Sequence, residues 1–336
     1  MECNDQYISF PRFLQVHSGK ADIPMFEAIL SQIESYCTII IHRHAKPDGD
    51  ALGSQIGLKH ILKENYPDKR IFSVGDDARF FGFMEDSVMD TIPDSAYENA
   101  LAVILDCGSP SLISDDRYSL AKKSVRIDHH IFCGKIADEE VIDTSYESCC
   151  GMIAKFAEEC GLRLTPLAAK SLYTGMVTDS GRFRYDATTA QTHRLAAFLM
   201  EQKFDTNEIF RDLYADSYEN KRLKAQFILK VKFTPNNVAY IYTTLSEFRE
   251  LGLDTFTVSR GMVNTMADMK GVDIWVNFTE TENGVLCELR SSAHNINPIA
   301  VKYGGGGHAK ASGATVADYA TAMAMLHDLN ELTGEK

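Results

Sequence analysis

The sequence predicts an α/β protein: a mostly parallel sheet with its helices, then a helical segment, then a smaller α/β region. Two observations carry this expectation. Runs of β-branched and aliphatic residues near 37–42, 70–74, 101–105 and 124–127 alternate with stretches of helical periodicity, as in βαβ units. Three of these runs end in polar clusters: His44-Ala-Lys-Pro-Asp48-Gly-Asp50, Asp106, and Asp128-His129-His130. Parallel strands deliver their C-terminal ends to one sheet edge, and in open α/β sheets ligands bind there.

The chain has 336 residues, enough for about two domains at roughly 150 residues each. The expected division is 1–200, a helical linker over 201–228, and 229–336. Lys and Arg number 34 against 47 Asp and Glu, for a net charge of -13. A long nucleic acid calls for a basic stripe, so this balance argues against one and leaves room for a small phosphorylated ligand. The eight cysteines include no C-x-x-C spacing, and the adjacent Cys149-Cys150 suits neither a zinc knuckle nor a disulfide framework. Free buried thiols in a reducing cytoplasm fit best. The N-terminus shows no basic stretch followed by an apolar one, and no apolar run is long enough to span a membrane.

Taken in order, residues 1 to about 23 read as an irregular lead-in or a short helix. Residues 51–63 form a helix with Leu52, Ile56 and Leu62 on one face and Leu58 and Ile61 beside them. Met152, Ile153, Phe156, Ala157 and Cys160 space out as an amphipathic helix stopped by Gly161, and 166–177 is another helix leading to Thr178-Asp179-Ser180-Gly181. Residues 189–230 are helical and rich in charge. Then come a strand at 238–243, a helix at 258–266, and a hairpin of 272–278 with 285–290 across an Asn283-Gly284 turn. A glycine run, Gly304-Gly305-Gly306-Gly307-His308, precedes a last helix over 317–332.

Asp48, Asp50, Asp106, Asp128 and Asp179 cannot all stay ionised in one cleft without a counter-charge. Carboxylates mixed with imidazoles suit Mn2+ or Mg2+ better than thiolate-rich zinc sites. Two ions about 3.5–4 Å apart would clamp a phosphoryl group and activate water. The plainer reading is that a single strand-end Asp is an N-cap for the next helix, and Asp48 or Asp50 alone would be no more than that. Three such clusters together favour a dinuclear site. Four glycines in a row cost folding entropy, and close approach of backbone amides to an anion is one reason to keep them. A flexible turn is the bland alternative. His308 beside the run and Arg290-Ser291-Ser292 at a strand end favour an anionic ligand.

Together, His44-x-x-Pro47-Asp48-Gly49-Asp50, Asp106, Asp128-His129-His130, Thr178-Asp179-Ser180-Gly181-x-Phe183, Arg290-Ser291 and Gly304–His308 resemble the DHH/DHHA1 phosphoesterases. The likeness runs from about 37 to about 330 and points to the branch that acts on short oligoribonucleotides and pAp. It implies a DHH catalytic domain joined by a helical linker to a DHHA1 substrate-binding domain, with substrate between them. By motif, His44, Asp48 and Asp106 would hold one ion, and Asp50, Asp106, His129 and Asp179 a second, with Mn2+ typical and Mg2+ the alternative. Asp128 would orient a histidine, His130 would face the scissile phosphate, and Arg290, Ser291, Gly304, Gly305, Gly306, Gly307 and His308 would grip the substrate. Lys46 stands where an uncharged polar residue is expected.

The resemblance implies an enzyme acting on short RNA or small phosphorylated nucleotides, not long duplexes, and a homodimer is in keeping with it. A single-strand DNA exonuclease would want a basic groove. A dinucleotide phosphodiesterase is a further rival; membrane and sensor segments often accompany that role. A soluble pyrophosphatase would lack the Arg290 and Gly304–His308 features. The rival outside enzymology is a nucleotide-binding regulatory module, which loss of Asp106 would have signalled.

Overall fold

Strands apolar at every position, not at alternate ones, belong to a sheet covered on both faces. β1 (Thr38–His42) and β3 (Ala100–Leu105) are buried at every position. Between and beyond them lie α1 (Glu27–Ser35), α2 (Gly49–Asn65), β2 (Arg70–Ser73), β4 (Lys123–Asp128), β5 (Glu139–Ile142), α3 (Cys149–Glu159), α4 (Pro166–Asp179), α5 (Ala190–Met200) and α6 (Thr206–Tyr214). This computed structural model describes residues 25–334, so the expected lead-in lies outside the described residues. The chain divides into two units, one ending at Ala215 and the other beginning at Asp216.

The first unit's sheet runs β2-β1-β3-β4-β5, with every neighbouring pair parallel. One face packs Ile39, Ile41, Leu101, Val103 and Val125 into the main core, and the other packs Ile40 with Val74, Ile92 and Tyr97. Chain order reverses between β1 and β3, where ligands bind in open sheets of this kind. β5 has no apolar run to announce it: its Glu139-Glu140-Val141-Ile142 is half-buried throughout.

α2 is buried nearly all round, because its two sides meet different partners. Leu52 and Ile56 pack against Ala78 and Met84, while Gly49, Gly53 and Gly57 turn to α4. A Cβ at Gly53 would stand 2.5 Å from Ser171 O, and one at Gly57 2.5 Å from the Leu172 side chain. Gly175 on α4 answers this stripe: a Cβ there would come 2.2 Å from Cys150 Sγ and 2.9 Å from Gly49 O. The close crossing brings the start of α2 beside the end of α4.

The second unit contains α7 (Tyr218–Ile228), β6 (Lys232–Phe233), β7 (Ala239–Thr243), α8 (Leu245–Leu251), α9 (Thr255–Val258), α10 (Arg260–Val263), β8 (Ile274–Thr281), β9 (Gly284–Ser291), α11 (Asn297–Lys302), β10 (Gly306–His308), β11 (Ala311–Val316) and α12 (Tyr319–Gly334). Its sheet runs β10-β11-β9-β8-β7-β6, antiparallel except for β7 with β8. The helix expected at 258–266 is broken into short pieces at Ser259, whose φ -84 and ψ -82 are not helical. The hairpin forms one residue earlier than expected, with Glu282 and Asn283 joining the paired Thr281 and Gly284. Gly284 serves close approach, since a Cβ on it would stand 2.4 Å from Val316 O.

Gly175→Ala overpacks the α2–α4 crossing against backbone and a buried sulfur. We expect a stability loss of about 1–3 kcal/mol or more, read as a lowered denaturant midpoint; an unchanged midpoint would refute the tight crossing.

Candidate active site

The acidic and imidazole side chains reach one place by six backbone ends. β1, β3 and β4 end in parallel at one edge, and beyond those ends stand His44, Asp106 and the pair His129-His130. The N-terminus of α2 contributes Asp48 and Asp50, and the last residue of α4 is Asp179. The N-terminus of α3 completes the set: Asp50 Oδ2 accepts from the Cys149 amide at 2.7 Å and Oδ1 from the Cys150 amide at 2.8 Å. The adjacent cysteines, unremarkable as thiols, matter through their backbone donors.

Asp48 fills the capping role weighed for it: its Oδ1 accepts from the amides of Asp50 and Ala51, each at 3.0 Å. Asp179 closes α4 at the negative end of the helix dipole, a place that disfavours a carboxylate.

Asp106 lies at the centre. Its Oδ2 is 3.4 Å from His44 Nε2, which in turn is 3.7 Å from Asp48 Oδ1. Its Oδ1 is 3.5 Å from His129 Nε2, which is 3.7 Å from Asp50 Oδ2 and 3.4 Å from Asp179 Oδ2. The two oxygens of one carboxylate therefore face two different groups of ligands. Two of the sets whose ligand atoms lie within 4.8 Å of one another match this division: His44, Asp48 and Asp106, and Asp50, His129 and Asp179. Ligands of one ion at about 2.1 Å stand roughly 3.0–3.5 Å apart, so the observed spacings suit a cation in each group.

Two features of the donors fit divalent ions. Asp106 is 2% exposed, and its Oδ1 accepts no hydrogen bond. His44 Nδ1 donates to Ala45 O at 2.8 Å and His129 Nδ1 to Tyr146 O at 3.3 Å, which leaves each Nε2 facing the carboxylates.

Charges follow the same geometry. Burial works against protonation of His44, but Asp106 and Asp48 raise it to about 11. Burial likewise opposes protonation of His129, and Asp106, Asp50 and Asp179 raise it to about 10. Burial works against ionisation of Asp106 too, yet His129 and His44 hold it well below the usual carboxylate range. Burial pushes Asp179 up to about 7, and burial with the nearby Asp106 and Asp179 charges pushes Asp50 up, against the pull of its two amide donors.

Asp128 turns to His130: its Oδ1 takes His130 Nδ1 at 2.8 Å. His130 is about half-exposed, and it also falls within a possible ligand set with Asp106 and His129, but its Nδ1 is committed to Asp128.

Sequence reasoning passed over the support of the His44 loop. Arg43, fully buried, donates to Gln55 Oε1 at 2.9 Å, to His44 O at 3.0 Å and to Asp76 Oδ1 at 2.8 Å. Asp76 also accepts from the Lys46 amide at 2.8 Å, which holds Lys46 at φ 55 between the ligands. Asp76 follows β2 as Asp106 follows β3, so the strand-end signal was present there too.

The remaining sequence candidates lie in the second unit. Register sets His308, Ala311 and Arg290 side by side across β10, β11 and β9, so their side chains share a sheet face. Arg290 is mostly buried, with Nη1 3.2 Å from Glu288 Oε2, while His308 is exposed. Ser291 Oγ is committed to the amides of Ala293 and His294 at 3.2 and 2.8 Å. The glycine run has a packing reason in addition to the anion nest expected. The Gly304 and Gly305 amides close α11 by donating to Val301 O and Ala300 O, and Cβ atoms at Gly305 and Gly307 would strike β11 backbone at 2.1 and 2.6 Å.

A parallel sheet with carboxylates and imidazoles gathered at its switch point, followed by a second α/β unit, fits one class, the metal-dependent phosphoesterases. The chain belongs to the DHH/DHHA1 phosphoesterase family. The DHH family N-terminal domain matches residues 38–176, and the DHHA1 domain matches 237–335. The bifunctional oligoribonuclease and PAP phosphatase NrnA of Bacillus subtilis is 34% identical over 310 residues, 91% of this chain and 98% of its own. A probable bifunctional oligoribonuclease and PAP phosphatase NrnA of Streptococcus mutans is 34% identical, covering 86% and 93%. The crystal structure of an exopolyphosphatase-related protein from Bacteroides fragilis shares the fold, with a TM-score of 0.77 at 23% identity over 91% of this chain and 95% of that one.

Cation binding at Nε2 must displace the protons that His44 and His129 hold at neutral pH. Titration calorimetry with Mn2+ in buffers of different ionisation enthalpy should therefore show proton release near pH 7 and an affinity that rises with pH. Binding without proton release would contradict these imidazole assignments. Asp106→Asn tolerates the left-handed backbone there, φ 54, but removes the shared charge. Its loss of metal-dependent activity should exceed the roughly 10–100-fold typical of an outer partner, with the circular dichroism spectrum unchanged.

Proposed function

We propose that this protein hydrolyses short oligoribonucleotides to mononucleotides and removes the 3′-phosphate of pAp, using two Mn2+ ions. One observation carries the reading: the Asp106 carboxylate presents one oxygen to His44 and Asp48 and the other to His129, Asp50 and Asp179. A shared carboxylate between two ligand sets is what a two-ion phosphoesterase needs. The relatives named oligoribonuclease and PAP phosphatase support the substrate class. Acidic net charge supports a substrate with few phosphates.

In this reading His44, Asp48 and Asp106 hold one ion, and Asp50, Asp106, His129 and Asp179 the other. Bound there, such ions supply Lewis acidity to phosphoryl oxygens and a water acidic enough to lose a proton near neutral pH. Oxygen and imidazole donors without a thiolate favour Mn2+, with Mg2+ as the alternative. His130, held by Asp128, meets the charge that develops on the scissile phosphate. Arg290 and His308, on one face of the second sheet, take a phosphate of the substrate, with Ser291 and Gly304–Gly307 shaping the backbone around them.

The test is a product time course on end-labelled RNA of two, three, five and twenty-four nucleotides, with pAp alongside, in Mn2+. We expect the two- to five-mers and pAp to be consumed and the long strand spared. Cleavage of the long strand would favour the single-strand exonuclease instead, and silence throughout would overturn the reading. Removing a charged phosphate contact costs about 1.5–3 kcal/mol. Arg290→Ala should accordingly raise KM roughly 10- to 100-fold with kcat little changed.

A further inference from the structure

The centre of β4 holds a fully buried arginine that the site described so far does not use. Residues two apart on a strand share a face, so the Arg126 side chain lies alongside that of Asp128. Sheet register sets Glu140 of β5 directly opposite Arg126 on the same face. The contacts follow this placement. Arg126 Nη2 pairs with Asp128 Oδ2, while Nη1 reaches Glu140 Oε1 at 3.3 Å and Gly134 O at 3.4 Å. Asp128 Oδ1 remains for His130, taking its amide at 3.3 Å and its Nδ1 at 2.8 Å. Glu140 Oε1 in turn accepts from the amides of Ile136 and Ala137 at 2.8 and 3.2 Å.

Stability does not explain this arrangement. A buried ion pair or triad roughly breaks even against apolar residues of similar volume, because each ion must be taken out of water. Ile104, the β3 partner of Arg126, packs with Cys107, Ile113 and Ala137, so the side of the triad toward β3 is apolar. What the triad supplies is direction. One guanidinium fork fixes a carboxylate on each side. The first carboxylate orients the His130 ring, and the second closes the 131–137 loop that leaves it. A lysine ammonium, a single point charge, cannot span both.

We propose that Arg126 is the positioning residue of His130. By occupying Asp128 Oδ2 it leaves Oδ1 as the one oxygen for His130 Nδ1–H. The ring plane is thereby fixed, and Nε2 is the nitrogen that meets a substrate oxygen. This rests on the proposed phosphoester hydrolysis, in which His130 faces the scissile phosphate.

The test compares the wild-type protein with Arg126→Lys and Arg126→Gln. In the Mg2+-loaded wild-type protein, histidine 15N spectra should resolve the His130 Nδ1–H as a downfield, slowly exchanging proton that Asp128→Asn removes. Failure to find it overturns the proposal whatever the variants do. Each Arg126 variant should bind Mn2+ at wild-type stoichiometry and lose or broaden that signal. On a dinucleotide, kcat should fall roughly 10- to 100-fold, the range typical of an outer partner, with KM within about twofold. Lys should be no better than Gln at restoring it. Wild-type kcat in either variant, or a loss of metal and a rise in KM in place of the kcat effect, overturns the proposal and leaves Arg126 a structural group. If the wild-type protein hydrolyses no phosphoester, the functional reading fails, and the His130 signal still reports whether Arg126 orients the ring.

Discussion

Too many carboxylates in too little water is the constraint on which the first unit is built. Asp50, Asp106 and Asp128 are buried, and Asp48 and Asp179 stand beside them. Each buried charge would cost several kcal/mol if left unpaired, and the chain meets most of that cost locally. Asp50 takes two amides at the start of α3, Asp128 takes the Arg126 guanidinium, and Asp106 Oδ2 faces His44. Asp106 Oδ1 accepts no hydrogen bond, and the nearest charge partner from the second group is His129 Nε2 at 3.5 Å. The carboxylate with one oxygen outside any hydrogen bond is thus also the one whose two oxygens face two different groups of side chains.

Much of this was legible because strand periodicity and strand-end chemistry are both local in sequence. The apolar runs before His44, Asp106 and Asp128 predict three parallel strand ends, and these strands lie side by side in the sheet. What stayed hidden depends on packing between distant segments. β5 is half-buried and carries two glutamates, so nothing in its composition separates it from a loop. The Gly49–Gly53–Gly57 stripe reads as a weak helix until Gly175 is placed opposite it. Arg126 reads as an ordinary polar residue in a strand until register sets it between Asp128 and Glu140.

In the second unit, a residue pattern expected to serve an anion also has a packing cause. The glycine run suggests an open nest of amides, yet two of those amides close α11 and the missing side chains make room for β11. The same pairing that demands the glycines aligns His308 with Arg290 across the sheet, so a demand of backbone packing sets the spacing of two anion-seeking side chains.

The ligand groups come from segments as far apart in the chain as His44 and Asp179, and α2 and α4 must be in contact for them to meet. An ion that bridges them recognises only the folded chain, and at 100 times its dissociation constant it adds about 2.7 kcal/mol to folding. With ions held there, the availability of divalent metal would govern more than turnover. It would also shift the fraction of chains open to proteases at any moment, so metal starvation would thin out the enzyme population as well as idle it.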